Sequence, residues 1–188
     1  MAVNWVADEA ALLPQAFDEV KDAQSSATNI YVPSIKLGTV AQFHDAGSTE
    51  YGTALFKYVR YTGGSGNIAG VSGLAVYHSS ADDNYLVTMD CTDGKGAAGI
   101  LHSAPGGASN DDDYIWIQIA GIAAYTDSAN LVAGSGSVLD QIVSPVTTTA
   151  GSDGKLQIRV DGTAATVVRR PVASVTGANT FLLLDFPR

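Results

Sequence analysis

The chain has 188 residues, enough for one domain to bury about two thirds of its unfolded surface without a disulfide or metal staple. Its net charge of −9, ten Lys plus Arg against nineteen Asp plus Glu, excludes nucleic-acid binding, and no apolar run approaches the ~20 residues of a membrane-spanning helix. Only 15% of residues are charged, against about 25% in an ordinary soluble domain, so much of the surface is small and polar and suited to facing other protein.

The N-terminus, "MAVNWVADEA", has neither the basic start nor the apolar core of an export signal, and no cleavable signal is expected. The lone Cys91 cannot pair within the chain, which fits synthesis and assembly in a reducing cytoplasm. Residues 5–24 carry the one helical pattern. Leu13, Phe17 and Val20 fall on one stripe, while Pro14 predicts two short helical pieces or a partly extended arm. We take 1–29 as an N-terminal arm and 30–188 as a single β domain.

From Ile30 the pattern turns to short β segments. "TALFKYVRY" (53–61) alternates, with Leu55, Lys57, Val59 and Tyr61 on one face and Phe56, Tyr58 and Arg60 on the other. "LAVYH" (74–78), "NYLVTMD" (84–90), "YIWIQIAGIAAY" (114–125) and "SVLDQIV" (137–143) follow, each bounded by turn residues. In "DGKLQIRVDGTAATVVRR" (153–170), Leu156, Ile158 and Val160 alternate with polar residues, and Asp161-Gly162 supplies a type I′ hairpin turn. "NTFLLLDF" (179–186) is a last strand. The sum predicts an all-β fold, a small β-barrel or β-sandwich with a short N-terminal helical or extended arm.

Chemistry-bearing motifs are sparse. "GVSGL" (70–74) fails the Gly-x-Ser-x-Gly elbow, and no Gly-x4-Gly-Lys-Ser/Thr loop exists. "GGSGNIAG" (63–70) has dinucleotide-loop spacing, but no helix opens after it, so it reads as a turn. His44, His78 and His102 offer a transition-metal site only if the fold converges them; otherwise they are turn-edge histidines. Asp82, Asp83 and Asp111 to Asp113 could ligate calcium but lack the EF-hand spacing, and three adjacent Asp in extended backbone point to opposite sides. They read more simply as the solvated end of a strand and part of an acidic pole, facing a basic pole that includes Arg169 and Arg170. On the 114–120 strand, Ile115, Ile117 and Ile119 are core, while Tyr114, Trp116 and Gln118 form an opposite face suited to a protein interface or, alternatively, to a sugar ring.

The succession "YGTALFKYVRYTGGSGNIAGVSGLAVYHSS", "AGILHSAP…DDDYIWIQIAGIAAY" and "LVAGSGSVLDQIV…GKLQIRVDG…RRPVASVTGANTFLLLDF" resembles head decoration (capsid cement) proteins of tailed bacteriophages over residues 51–186. The phrase "Y-x-W-I-Q-I-x-G" and the closing "F-L-L-L" strand carry the likeness. The resemblance implies a virion structural protein without enzymatic activity or cofactor. It would form a homotrimer, bind the major capsid protein lattice from the outside and stabilise the head. Trp5, Leu12, Leu13 and Phe17 of the arm, with Tyr114, Trp116, Gln118, Arg169 and Arg170, are the expected interface residues. The alternative from another class is a carbohydrate- or receptor-binding β module of a virion, calcium-dependent through the Asp clusters. A third is a metal-dependent barrel enzyme using the three histidines.

Overall fold

The computed structural model describes residues 5–7, 21–22, 35–45, 52–79, 85–93, 96–106, 113–124, 131–132, 137–143, 153–160, 173–176 and 181–185. In chain order the strands are β1 (Trp5–Ala7), β2 (Lys21–Asp22), β3 (Val40–Asp45), β4 (Thr53–Tyr61), β5 (Ala75–His78), β6 (Leu86–Thr88) and β7 (Ala97–Leu101). They continue with β8 (Asp113–Ala124), β9 (Leu131–Val132), β10 (Ser137–Val143), β11 (Leu156–Val160), β12 (Ala173–Thr176) and β13 (Phe181–Asp185). The described residues contain no helix.

Five strands close on themselves as a barrel. β4 pairs with β6 in parallel, and β6 with β5, β5 with β7, β7 with β8 and β8 with β4 pair antiparallel. β3 is an extra strand, antiparallel to the first half of β4 with Val40 opposite Lys57 and His44 opposite Thr53. The long strands β4 and β8 make closure possible, because each changes partner along its length. On the outer edge of β4, β3 serves as far as Lys57, Thr39 and Gly38 then bond Tyr58, and Tyr85 bonds Arg60 where β6 begins. β8 runs along β4 to Ala120 and continues beside β13, beyond which β12, β10, β11 and β9 follow in order.

Gly121 sits where β8 leaves β4. Its φ is +94°, and a Cβ there would stand 2.8 Å from the Thr53 carbonyl oxygen and 3.0 Å from Ala54 Cα. Only glycine meets both the left-handed backbone and the close approach. Gly121→Ala is expected to cost about 1–3 kcal/mol. Thermal unfolding reads this as a fall of several degrees, and an unchanged midpoint would remove Gly121 from this role.

Side-chain alternation on β4 and β8 divides the core in two. Val59 and Tyr61 join Ile115, Ile117 and Ile119 in the barrel interior with Val87, Ile100 and Leu156. Phe56, Tyr58 and Trp116 lie on the opposite side and are covered by Phe43 of β3 and by Ile35. Residues 153–156 are fastened to the barrel: Ala75 N–H donates to the Gly154 carbonyl at 2.9 Å, Cys91 N–H to Asp153 Oδ1 at 3.0 Å, and the Tyr77 hydroxyl to the Lys155 carbonyl at 2.5 Å.

The alternating segment 53–61 is β4 residue for residue, and 137–143 is β10. At both ends of the 5–24 segment the chain takes the extended alternative, with Trp5–Ala7 paired to β3 and Lys21–Asp22 to β8. Ladder bonds to existing strands satisfy those backbone groups, which overrides a weak local propensity. Residues 8–20, with Leu12, Leu13 and Phe17, lie outside the described residues. So does the second arm of the Asp161-Gly162 hairpin; among the described residues β11 pairs with β10 and β9.

Candidate functional site

The face expected to carry Tyr114, Trp116 and Gln118 exists, but it is an internal layer. Trp116 and Gln118 are fully buried, and Tyr114 is half-buried. The Trp116 ring lies 5.6 Å from Phe43 and 5.0 Å from Tyr58, and Tyr58 stacks on Tyr114 at 6.2 Å. β3, with its Phe43, covers this face, so Trp116 and Gln118 are not on the chain's outer surface. The Trp116 indole Nε1 is sealed there without a hydrogen-bond partner.

Gln118 is fixed by its own amide. Its Nε2 donates to the carbonyls of Ile122 at 2.9 Å and Ala120 at 3.3 Å, which leaves Oε1 facing His102 Nε2 at 2.7 Å. Because Oε1 only accepts, His102 must present Nε2–H. The ring of His102 also lies 5.3 Å from Phe56, so this histidine positions the aromatic layer.

The glycine-rich run 63–70 is a turn, as expected, and its amides have taken an internal anion. Ser65 N–H donates to Asp93 Oδ2 at 2.6 Å and Gly66 N–H to Asp90 Oδ2 at 2.9 Å. These are the groups a phosphate would need. Asp90 is buried and also accepts from Thr92 N–H at 2.9 Å and the Thr92 hydroxyl at 2.5 Å. Burial pushes the Asp90 carboxyl up, but the donors from Thr92, Gly66 and Asp93 outweigh it and hold the group below its ordinary 3.8.

Asp113 corrects the expectation of a solvated acid. It is buried, with Oδ2 accepting from Gly106 N–H at 2.6 Å, so it ties Gly106 to the first residue of β8. Asp82, Asp83, Asp111 and Asp112 lie outside the described residues. His44 is exposed on β3, His78 ends β5, and His102 follows β7. The fold does not converge them: among the described residues no group of three His, Cys, Asp or Glu is placed to hold a metal ion.

No family model, curated protein or solved structure matches this chain. Function must therefore be argued from the chain's own surface. The described exposed large hydrophobics are Val40, Val71 and Tyr85. Two of them flank Lys57, a residue that sequence reasoning placed on a strand face without assigning it a role. Val40 is its cross-strand neighbour, and its Nζ lies 5.4 Å from the centre of the Tyr85 ring. Gly38 makes room for that ring, since any Cβ there would run into the Tyr85 edge. Lys57 is only 6% exposed, and burial pulls its ammonium below the usual lysine range. The available signal was a lysine between Leu55 and Val59 on an otherwise inward-facing alternation. Of the expected interface residues, Trp5 lies in β1, and Arg169 and Arg170 fall outside the described residues.

Proposed function

We propose that the chain is a virion structural protein, a capsid decoration or cement protein that self-associates and binds the outside of a major capsid protein lattice. One observation carries the reading beyond the phrases themselves. The segment "YIWIQIAG" belongs to β8, "FLLL" belongs to β13, and the two strands are antiparallel neighbours, with "ASVT" of β12 next in line. Phrases separated by some sixty residues in the chain thus form one continuous sheet region. A closed barrel with an under-charged, acidic composition suits the same role: it is a compact body whose small polar surface can meet other protein. Binding would come from avidity, with several weak contacts engaged at once by an oligomer.

Expression in cells producing the cognate phage tests this. The protein is expected to co-purify with intact heads in fixed ratio to the major capsid protein. Heads that sediment free of it would overturn the proposal.

A further inference from the structure

We propose that residues 153–156 are a latch on the barrel, and that the barrel opens at β6 when this latch lifts. The seams of the barrel are unequal. β4 and β8 pair from Leu55 to Tyr61, whereas β6 has three residues, with Leu86 and Val87 opposite Arg60 and Tyr61 of β4, and Val87 and Thr88 opposite His78 and Tyr77 of β5. β6 is the shortest stave. Beyond Thr88, the gap between the start of β5 and the chain leaving β6 is bridged by Gly154, which accepts from Ala75 N–H at 2.9 Å and donates its own N–H to the Met89 carbonyl at 3.2 Å. The residues on either side of Gly154 secure it. Asp153 Oδ1 takes Cys91 N–H at 3.0 Å on the β6 side, and the Lys155 carbonyl takes the Tyr77 hydroxyl at 2.5 Å on the β5 side.

The bridge is a close fit. Gly154 has φ +70°, and a Cβ there would stand 2.8 Å from Met89 Cε and 3.0 Å from Leu74 Cβ, so a small displacement of the segment unseats it. Leu156 follows at once and is fully buried in the same apolar cluster as Val87 and Met89. Lifting the latch therefore removes both the bonds across the gap and the side chain that plugs the interior behind it, and leaves β6 with its two short ladders. Local opening starts where few bonds must break. The latch runs directly into β11, which is paired with β10 and β9, so a partner or a force that draws those strands off the barrel also frees β6. This coupling operates whether or not the protein meets a capsid.

Cys91 supplies the test, because it is the chain's one cysteine, is buried, and lies just past β6 on the latched side. Its rate of modification by dithiobis(nitrobenzoate) is measured on the full chain in buffer and in low urea, for wild type, Tyr77→Phe, Gly154→Ala and Gly121→Ala. Wild type should react slowly, with a urea dependence well below that of global unfolding followed by circular dichroism, since that slope scales with the surface exposed. Tyr77→Phe deletes one latch bond without changing charge and should speed modification about fivefold. Gly154→Ala, which cannot seat, should speed it about tenfold or more. Gly121→Ala, at the far end of the β4–β8 seam, should lower global stability and leave the rate in buffer unchanged. A wild-type urea slope equal to that of global unfolding overturns the latch, as do unchanged rates in folded Tyr77→Phe and Gly154→Ala. Should Gly154→Ala fail to fold, Tyr77→Phe and the wild-type slope decide the matter.

Discussion

Replacing Trp116 by alanine is expected to destabilise the protein by about 3–5 kcal/mol, the range for deleting a fully buried large aromatic side chain. Trp116 has no exposed surface, and its ring touches Phe43 from β3 and Tyr58 from β4. The deletion would leave a cavity between the extra strand and the barrel wall, bounded on the other side by β4–β8 ladder bonds that cannot collapse into it. In a chain of 188 residues the midpoint of thermal unfolding should fall by roughly 6–20 °C. Trp116→Phe provides the informative contrast. The indole N–H is buried without a partner, a state that costs about 1–3 kcal/mol, and phenylalanine removes it. The smaller ring forfeits some packing, but the two effects oppose, so Trp116→Phe should fall well short of the alanine loss. Equal losses in the two variants would show that the indole N–H is satisfied in solution and that the layer is wetter than described.

Why Trp116 reads from sequence as a surface residue is a matter of one missing strand. The face of β8 that carries it was legible, because Ile115, Ile117 and Ile119 alternate with Tyr114, Trp116 and Gln118. Its cover, "VAQFHD" in β3, has one large inward residue, Phe43, between exposed Gln42 and His44, too weak a pattern to announce a strand. β7 escaped for the opposite reason: all of "AAGIL" is buried, so it shows no alternation. β4 and β10 were legible because both are short runs rich in aliphatic, aromatic and β-branched residues, with turn residues bounding both ends.

The acids show a different limit. Asp90 and Asp113 lie beside turn signals, where short carboxylates are commonly solvated, and no local pattern says which amides will reach them. Gly66 comes to Asp90 from 24 residues away, through closure of the barrel. Lys57 was visible as a charge on an inward face, but its meaning depends on Tyr85, brought in by the parallel pairing of β4 with β6. Long-range pairings of this kind decide what the chemistry-bearing side chains meet, and they are the part that periodicity does not encode.

The second large effect belongs to Asp90. Asp90→Ala removes the acceptor for Gly66 N–H, Thr92 N–H and the Thr92 hydroxyl, and it loosens the turn at 63–66 on the segment after β6, where the Ser65 N–H bond to Asp93 remains. Charge-assisted hydrogen bonds contribute about 1.5–3 kcal/mol each and are not additive, so a total loss of about 3 kcal/mol is expected. Asp90→Asn should keep part of the geometry but lose the charge. The pH dependence distinguishes the variants further. A carboxyl whose folded value is depressed gives its full stabilisation above the unfolded value and loses it as pH falls through the folded one. Wild type should therefore hold this contribution at neutral pH and surrender it below about 3.8, as Asp90 takes up its proton. Asp90→Asn, with no proton to gain at that position, should show a shallower loss between pH 4 and 2 in denaturant titrations. If wild type and Asp90→Asn lose stability in parallel across that window, the turn is held by something other than the Asp90 charge, and Asp90 as the anion at the Gly66 amide would have to be abandoned.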